Sequence, residues 1–154
     1  MNQAPGCGGV GLQICFFMGI IEFMILNVNK LRNFWVAEAE EALQVAEHLV
    51  EKRDFSYALF FGHLALEKMI KAICVIKLKD HAPPIHNLIR LSKIAGIELN
   101  EQTEGELVAI TAFNIESRYP DFKNSFRQKC TEEYTTIQMD IIKRNFKWLK
   151  SLLK

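Results

Sequence analysis

Phe55-Ser56-Tyr57-Ala58-Leu59-Phe60-Phe61-Gly62-His63-Leu64-Ala65-Leu66-Glu67-Lys68-Met69-Ile70-Lys71-Ala72 is the stretch whose reading decides the fold. Phe55, Ala58, Leu59, Gly62, Leu66 and Met69 fall on one helical face, and Phe61, Leu64, Ala65 and Ala72 widen it. The pattern runs on through Ile73 and Ile76, which predicts a helix over 55–78. A helix this apolar is stable only at the centre of a bundle, covered on most sides. Gly62 would let a neighbouring helix approach closely. The polar exceptions are His63, Glu67 and Lys71 at steps of four, with Lys68 beside them. Their ordinary reading is a solvated or ion-paired stripe, since Glu67 followed by Lys71 is the favourable i,i+4 order. Their functional reading is a polar face turned toward a ligand.

Outward from this helix, the remaining elements follow the same period. Trp35, Ala39, Ala42, Ala46 and Leu49 step by four and three, predicting a helix over about 33–52 with Asn33 as its cap. Arg53-Asp54 leaves room only for a tight reversal, so the two helices are antiparallel. Pro83-Pro84 ends the central region. A short helix over 87–95 follows, with Leu88, Leu91 and Ile94 inward and Gly96 as its stop. Asn100 caps a fourth helix carrying Leu107, Ile110, Phe113, Asn114 and Ser117, which must end at Tyr119-Pro120. Residues 121–130 are polar and basic and read as a loop. A last helix over 131–153 turns Tyr134, Ile137, Ile141, Trp148 and Leu152 inward. No segment alternates with the period of a strand. The fold class is all-α, an up-and-down four-helix bundle with a short additional helix.

Composition sets the outer bounds. A length of 154 residues suits one domain with one core. The net charge of +1 gives no global field that would call for nucleic acid or an acidic membrane. The charge is nevertheless uneven: Glu38, Glu40, Glu41, Glu47 and Glu51 lie on the first helix, whereas Lys143, Lys147, Lys150 and Lys154 form a basic stripe on the last. That stripe reads either as an RNA contact or, more ordinarily, as a face matched to the acidic helix. Cys7, Cys15, Cys74 and Cys130 lack metal-ligand spacing, so a reduced, cytoplasmic setting and no cofactor are expected. The apolar run Val10–Leu26 is shorter than a usual span and contains Gln13 and Glu22. It is expected to be an extension, with Met24 as an alternative start, rather than a membrane anchor. The domain division is therefore 1–28 as the extension and 29–154 as the bundle.

The best functional candidates cluster after the fourth helix. Arg118 sits at a helix end, where its planar fork suits a phosphate, and Tyr119 can stack on a base. Asn114 lies one turn behind Arg118, and Asp121 and Lys123 follow it. The ordinary reading is that Arg118 satisfies the last carbonyls and pairs with Asp121. His86, at a loop-to-helix junction, reads first as a residue that fixes the turn.

The string Tyr57–Lys68, the His86-Asn87-Leu88 turn after a proline-containing linker, the Ala/Glu/Leu pattern of the first helix and the Phe113–Asp121 corner together resemble HEPN domains. The resemblance covers about Leu31 to Leu152. It implies a four-helix bundle with a short extra helix, usually a homodimer; the surplus of apolar faces on the central helix supports the same expectation of pairing. It also implies a nucleotide-binding or partner-binding role, often beside a small nucleotidyltransferase in a toxin–antitoxin pair. Other HEPN members are metal-independent endoribonucleases with an Arg-x(4–6)-His motif, in which His moves the 2′-OH proton and Arg stabilises the phosphate. Here His48, His63, His81 and His86 are the only histidines, and none follows Arg118. The resemblance therefore favours a non-catalytic module, with His63, Glu67, Lys71, Asn114, Arg118, Tyr119, Asp121 and Lys123 as its candidate ligand residues. The alternative is an endoribonuclease toxin with a rearranged site built from Arg118, Lys123 and one histidine.

Overall fold

The computed structural model describes residues 10–153. Cys7 and the first part of the 1–28 extension lie outside the described residues. Six helices follow in order: α1 (Val10–Glu51), α2 (Phe55–Leu78), α3 (Leu88–Ala95), α4 (Glu101–Glu116), α5 (Ser125–Lys129) and α6 (Glu132–Ser151). The four long helices run up, down, up and down. Lys143 and Lys150 of α6 meet Glu47 and Glu40 of α1, so those two helices are antiparallel. The Ser117 hydroxyl at the end of α4 donates to the Ser56 carbonyl at the start of α2 (3.0 Å), so that pair is antiparallel as well.

The central position of α2 follows from its apolarity. It packs against α1, α3, α4, α5 and α6, and Leu59, Leu66, Met69 and Ile70 are fully buried. Gly62 meets α6. A Cβ there would stand 2.6 Å from Ile142 Cδ1, so glycine lets the two helices close to this distance without displacing that side chain. The reversal into α2 uses Arg53 in the left-handed region (φ 64°), and the Asp54 N–H donates to the Leu49 carbonyl (2.8 Å). The caps fall at Asn87, Asn100 and Thr131, whose side chains accept from Arg90, Thr103 and Tyr134 N–H, while Gly96 at φ 70° closes α3.

Three expectations are corrected. The first helix does not begin at Asn33. It runs unbroken from Val10, because the apolar extension has no proline between Gln13 and Asn33 and simply prolongs it. Residues 121–130 are not all loop: Asp121 accepts from the Ser125 N–H (2.8 Å) and starts the five-residue α5, whose Phe126 packs beside Phe113. The inward face of α6 is turned by about one residue from the expected one. Met139, Ile142, Phe146 and Leu149 are buried, whereas Ile137 and Leu152 are exposed. The buried Thr135 and Asn145 disguise that face in the sequence. Among the described residues, no helix is long and apolar enough to cross a membrane.

Candidate functional site

The three polar residues of α2 are not solvated. His63 is fully buried, and Glu67 and Lys71 are nearly so. Spacing of i,i+4 stacks them on one face, which α1 and the loop after Pro83-Pro84 cover. Lys71 Nζ donates to Glu67 Oε1 (2.7 Å) and lies 5.1 Å from the centroid of the Trp35 ring of α1. The ion-paired part of the expectation holds, and the solvated part does not. A buried carboxylate is tolerable only with partners, and Glu67 has a second one. His86 Nδ1 stands 3.1 Å from each of its oxygens.

His86 is anchored twice. Its ring is held by Glu67, and its backbone carbonyl accepts from His63 Nε2 (3.0 Å). It fixes the turn as expected, but through a carboxylate and a buried histidine. The ring is nevertheless 60% exposed, and its Nε2 has no hydrogen-bond partner among the described residues. The contact to the His86 carbonyl makes Nε2 the protonated nitrogen of His63. Its Nδ1 has no hydrogen-bond partner and lies 3.8 Å from Glu67 Oε2. Burial pulls the His63 pKa down to about 4 against the opposing pull of Glu67, and the charges of His86 and Arg118 add to the lowering. His63 is therefore neutral at pH 7, and both His86 and Arg118 stand close enough to be felt there.

Arg118 reaches this corner from the end of α4. Its Nε donates to the Asn114 carbonyl (2.8 Å), which satisfies one of the last helix carbonyls. Its guanidinium carbon lies 5.8 Å from the Phe60 ring centroid and 5.5 Å from that of Tyr119. Both terminal nitrogens are without partners among the described residues. The expected pair with Asp121 does not form, because Asp121 starts α5. Hydrogen bonds from Ser125 hold the Asp121 carboxyl below its usual range. Asn114 is buried, and Tyr119 is 70% exposed. Lys123 is exposed, with its carbonyl accepting from Gln128 Nε2 (3.1 Å), and the structure does not bring it to the corner. Two groupings stand here: His63, Lys71 and His86 gather at Glu67, while Arg118 sits on the Asn114 carbonyl beside Tyr119, its charge felt at His63. Trp35 adds to the first through Lys71, and Phe60 to the second through Arg118. Sequence reasoning missed them because an aromatic at core spacing reads as core.

Two other charged features are largely engaged within the chain. The basic stripe of α6 is matched to the acidic α1 through Lys143–Glu47 (2.8 Å) and Lys150–Glu40 (2.6 Å). A groove of about 770 Å³ lies away from the corner, between the start of α4 and the end of α6. Its Glu106 is already engaged by Asn145, Gln102 and Arg144. Cys74 and Cys130 are buried free thiols, both pushed up to about 11 by burial, which leaves them unreactive.

A family model described as HEPN domain matches residues 33–152. The chain belongs to the HEPN family. The match takes in the second half of α1 and every later helix, and it leaves out the extension. A solved structure, the crystal structure of TT1696 from Thermus thermophilus, is similar in fold. It has a TM-score of 0.65 at 16% identity and covers 78% of this chain and 96% of that one. No curated protein matches the chain. Within this HEPN bundle, the Arg-Tyr-Pro-Asp corner of the sequence is the end of α4, and the His-Asn-Leu turn is the start of α3.

Proposed function

We propose that this HEPN protein is a nucleotide-binding and partner-binding module. In this reading the corner formed by Arg118, Tyr119, His86 and the buried His63–Glu67–Lys71 set takes a nucleotide phosphate. The partner, on the strength of the family resemblance, is a small nucleotidyltransferase in a toxin–antitoxin-like pair. The observation that carries the reading is the Arg118 guanidinium. It is oriented by the Asn114 carbonyl and two aromatic rings, yet its two terminal nitrogens have no acidic partner among the described residues. A fixed, unpaired arginine fork beside an exposed Tyr ring suits a phosphate and a stacked base. Removing it should weaken mononucleotide binding about tenfold or more, since charge-assisted hydrogen bonds contribute roughly 1.5–3 kcal/mol. Stability should fall by only about 1 kcal/mol, because its contacts are part-exposed. Calorimetric titration of Arg118→Ala with mononucleotides and with a neighbouring nucleotidyltransferase, alongside thermal melting, tests this. Unchanged binding with a large drop in melting temperature would make Arg118 a helix cap.

One observation favours a second reading, a metal-independent endoribonuclease with a rearranged site. His86 carries a carboxylate at Nδ1 and a free, exposed Nε2, the arrangement in which an imidazole transfers protons. Cleavage of single-stranded RNA without added metal, lost in His86→Ala, would establish it. No cleavage is expected under the first reading.

A further inference from the structure

The groove between the start of α4 and the end of α6 holds a polar atom that the chain leaves unused. Asn145 stands on its wall and is only 4% exposed. The Asn145 carboxamide nitrogen donates twice, to Glu106 Oε2 (2.7 Å) and to the Ile141 carbonyl (3.0 Å). Both partners are acceptors, so the orientation of the amide is fixed and Oδ1 faces neither of them. Oδ1 has no hydrogen-bond partner among the described residues. The unpartnered side-chain atoms sealed from solvent there are His63 Nδ1, Ser92 Oγ and Thr135 Oγ1. Asn145 Oδ1 is not one of them, so a donor reaches it from the groove. A fixed acceptor on a nearly buried side chain is a place for a ligand N–H.

The charges of the groove select the ligand. Burial would raise the Glu106 pKa, but hydrogen bonds from Asn145, Gln102 and Arg144 outweigh it and hold the carboxyl below its usual range. Glu106 is therefore ionised, and Arg144 is spent on it. Glu98 on the same groove is exposed, with no ion-pair partner among the described residues. Two carboxylates against one guanidinium leave the groove negative. An anion gains nothing at the α4 N-terminus either, because Asn100 already takes the Thr103 N–H and Glu101 and Glu104 occupy the first turn. Trp148, half-buried on the same wall, offers a ring face to a cation. We propose that this groove binds a small organic cation with planar N–H donors, an alkylguanidinium, which lies on Trp148, donates to Asn145 Oδ1 and pairs with Glu98. A guanidinium meets all three at once, since its plane stacks while its edge donates; an ammonium has no plane to stack. The volume of about 770 Å³ is ample for such a ligand.

An NMR titration of the isotope-labelled full chain with N-butylguanidinium, at about 0.15 M salt to screen general surface charge, tests this. The Asn145 side-chain amide and the Trp148 indole N–H should shift together and saturate at about a millimolar, the strength expected of so small a ligand. N-butylurea, which keeps the plane and the N–H donors but has no charge, should bind about tenfold more weakly. Glu98→Gln should weaken N-butylguanidinium about threefold, and Trp148→Leu about fivefold or more. Glu98 is exposed, so its variant keeps the fold even where loss of the Trp148 ring disturbs packing, and circular dichroism reads both. The proposal is overturned by the absence of a saturable shift, by shifts spread along the acidic face of α1 instead of the groove, by N-butylurea binding as tightly, or by native affinity in Glu98→Gln. Neither variant touches Arg118 or the groups around it, so nucleotide titration of the same samples reads the other site separately.

Discussion

At the scale of single residues, His63 shows how burial sets chemistry. An ordinary histidine titrates near 6.5, and this one is pulled down to about 4 because its charged form would lose its hydration. The folded value lies below the unfolded one, so the unfolded chain binds the extra proton first. The stability that neutral His63 supplies is complete above about pH 6.5 and is lost as pH falls toward 4. It amounts to roughly 3 kcal/mol across that window. Urea unfolding between pH 7.5 and 4.5 should show this acid limb. It should flatten in His63→Gln, whose amide can still donate to the His86 carbonyl; an unchanged pH profile would place the acid sensitivity elsewhere. The sequence made His63, Glu67 and Lys71 legible as a polar interruption of an apolar helix. It could not show that the interruption is closed by His86, because that contact joins a helix to a loop 19 residues away. Asp121 escaped the sequence for a similar reason. A carboxylate two residues after a helix end reads as the partner of the last arginine, and only the turn geometry reveals that it starts the next helix.

At the scale of elements, α2, α3 and the start of α4 were legible almost to the residue, while α4 ends at Glu116, short of the expected Tyr119-Pro120. Each has a strong period and a chemical start or stop, such as Asn87, Gly96 and Asn100. The rotation of α6 was not, because its buried face mixes Thr135 and Asn145 with apolar residues, so the apolar stripe alone points the wrong way. Nor was the start of α1, where helix-compatible apolar residues continue upstream of Asn33 without a break. The contact between α2 and α6 hinges on Gly62. A side chain there would meet the Cδ1 methyl of the fully buried Ile142, so that side chain or the helix must shift. Gly62→Val should therefore cost on the order of 1–3 kcal/mol by overpacking. The check is the urea midpoint, and a variant as stable as the native chain would mean that the two helices can separate freely.

At the scale of the whole molecule, we propose that the bundle closes without the extension. Among the described residues, the core and the groups packed against it begin at Val36, and the family match begins at Asn33. α1 spans roughly 60 Å against roughly 36 Å for α2, at 1.5 Å per residue. Its first turns therefore run past the end of its antiparallel neighbour, where Met24 and Val28 stand beside Lys79 and His81. Removing residues 1–23 should leave the melting temperature and helical content unchanged within error, and an insoluble or unfolded product would show that the extension completes the core. The central claim concerns Arg118 beyond the end of α4, held by Asn114 and Phe60 and felt electrostatically at His63. Its most direct test is an NMR titration of the isotope-labelled chain with a mononucleotide. Amide shifts concentrated at Asn114–Tyr119, with matching shifts of the His86 ring and of Phe60, are the predicted result. Shifts centred instead on the groove of Glu98, Arg144 and Trp148, or no shifts at millimolar nucleotide, would contradict it.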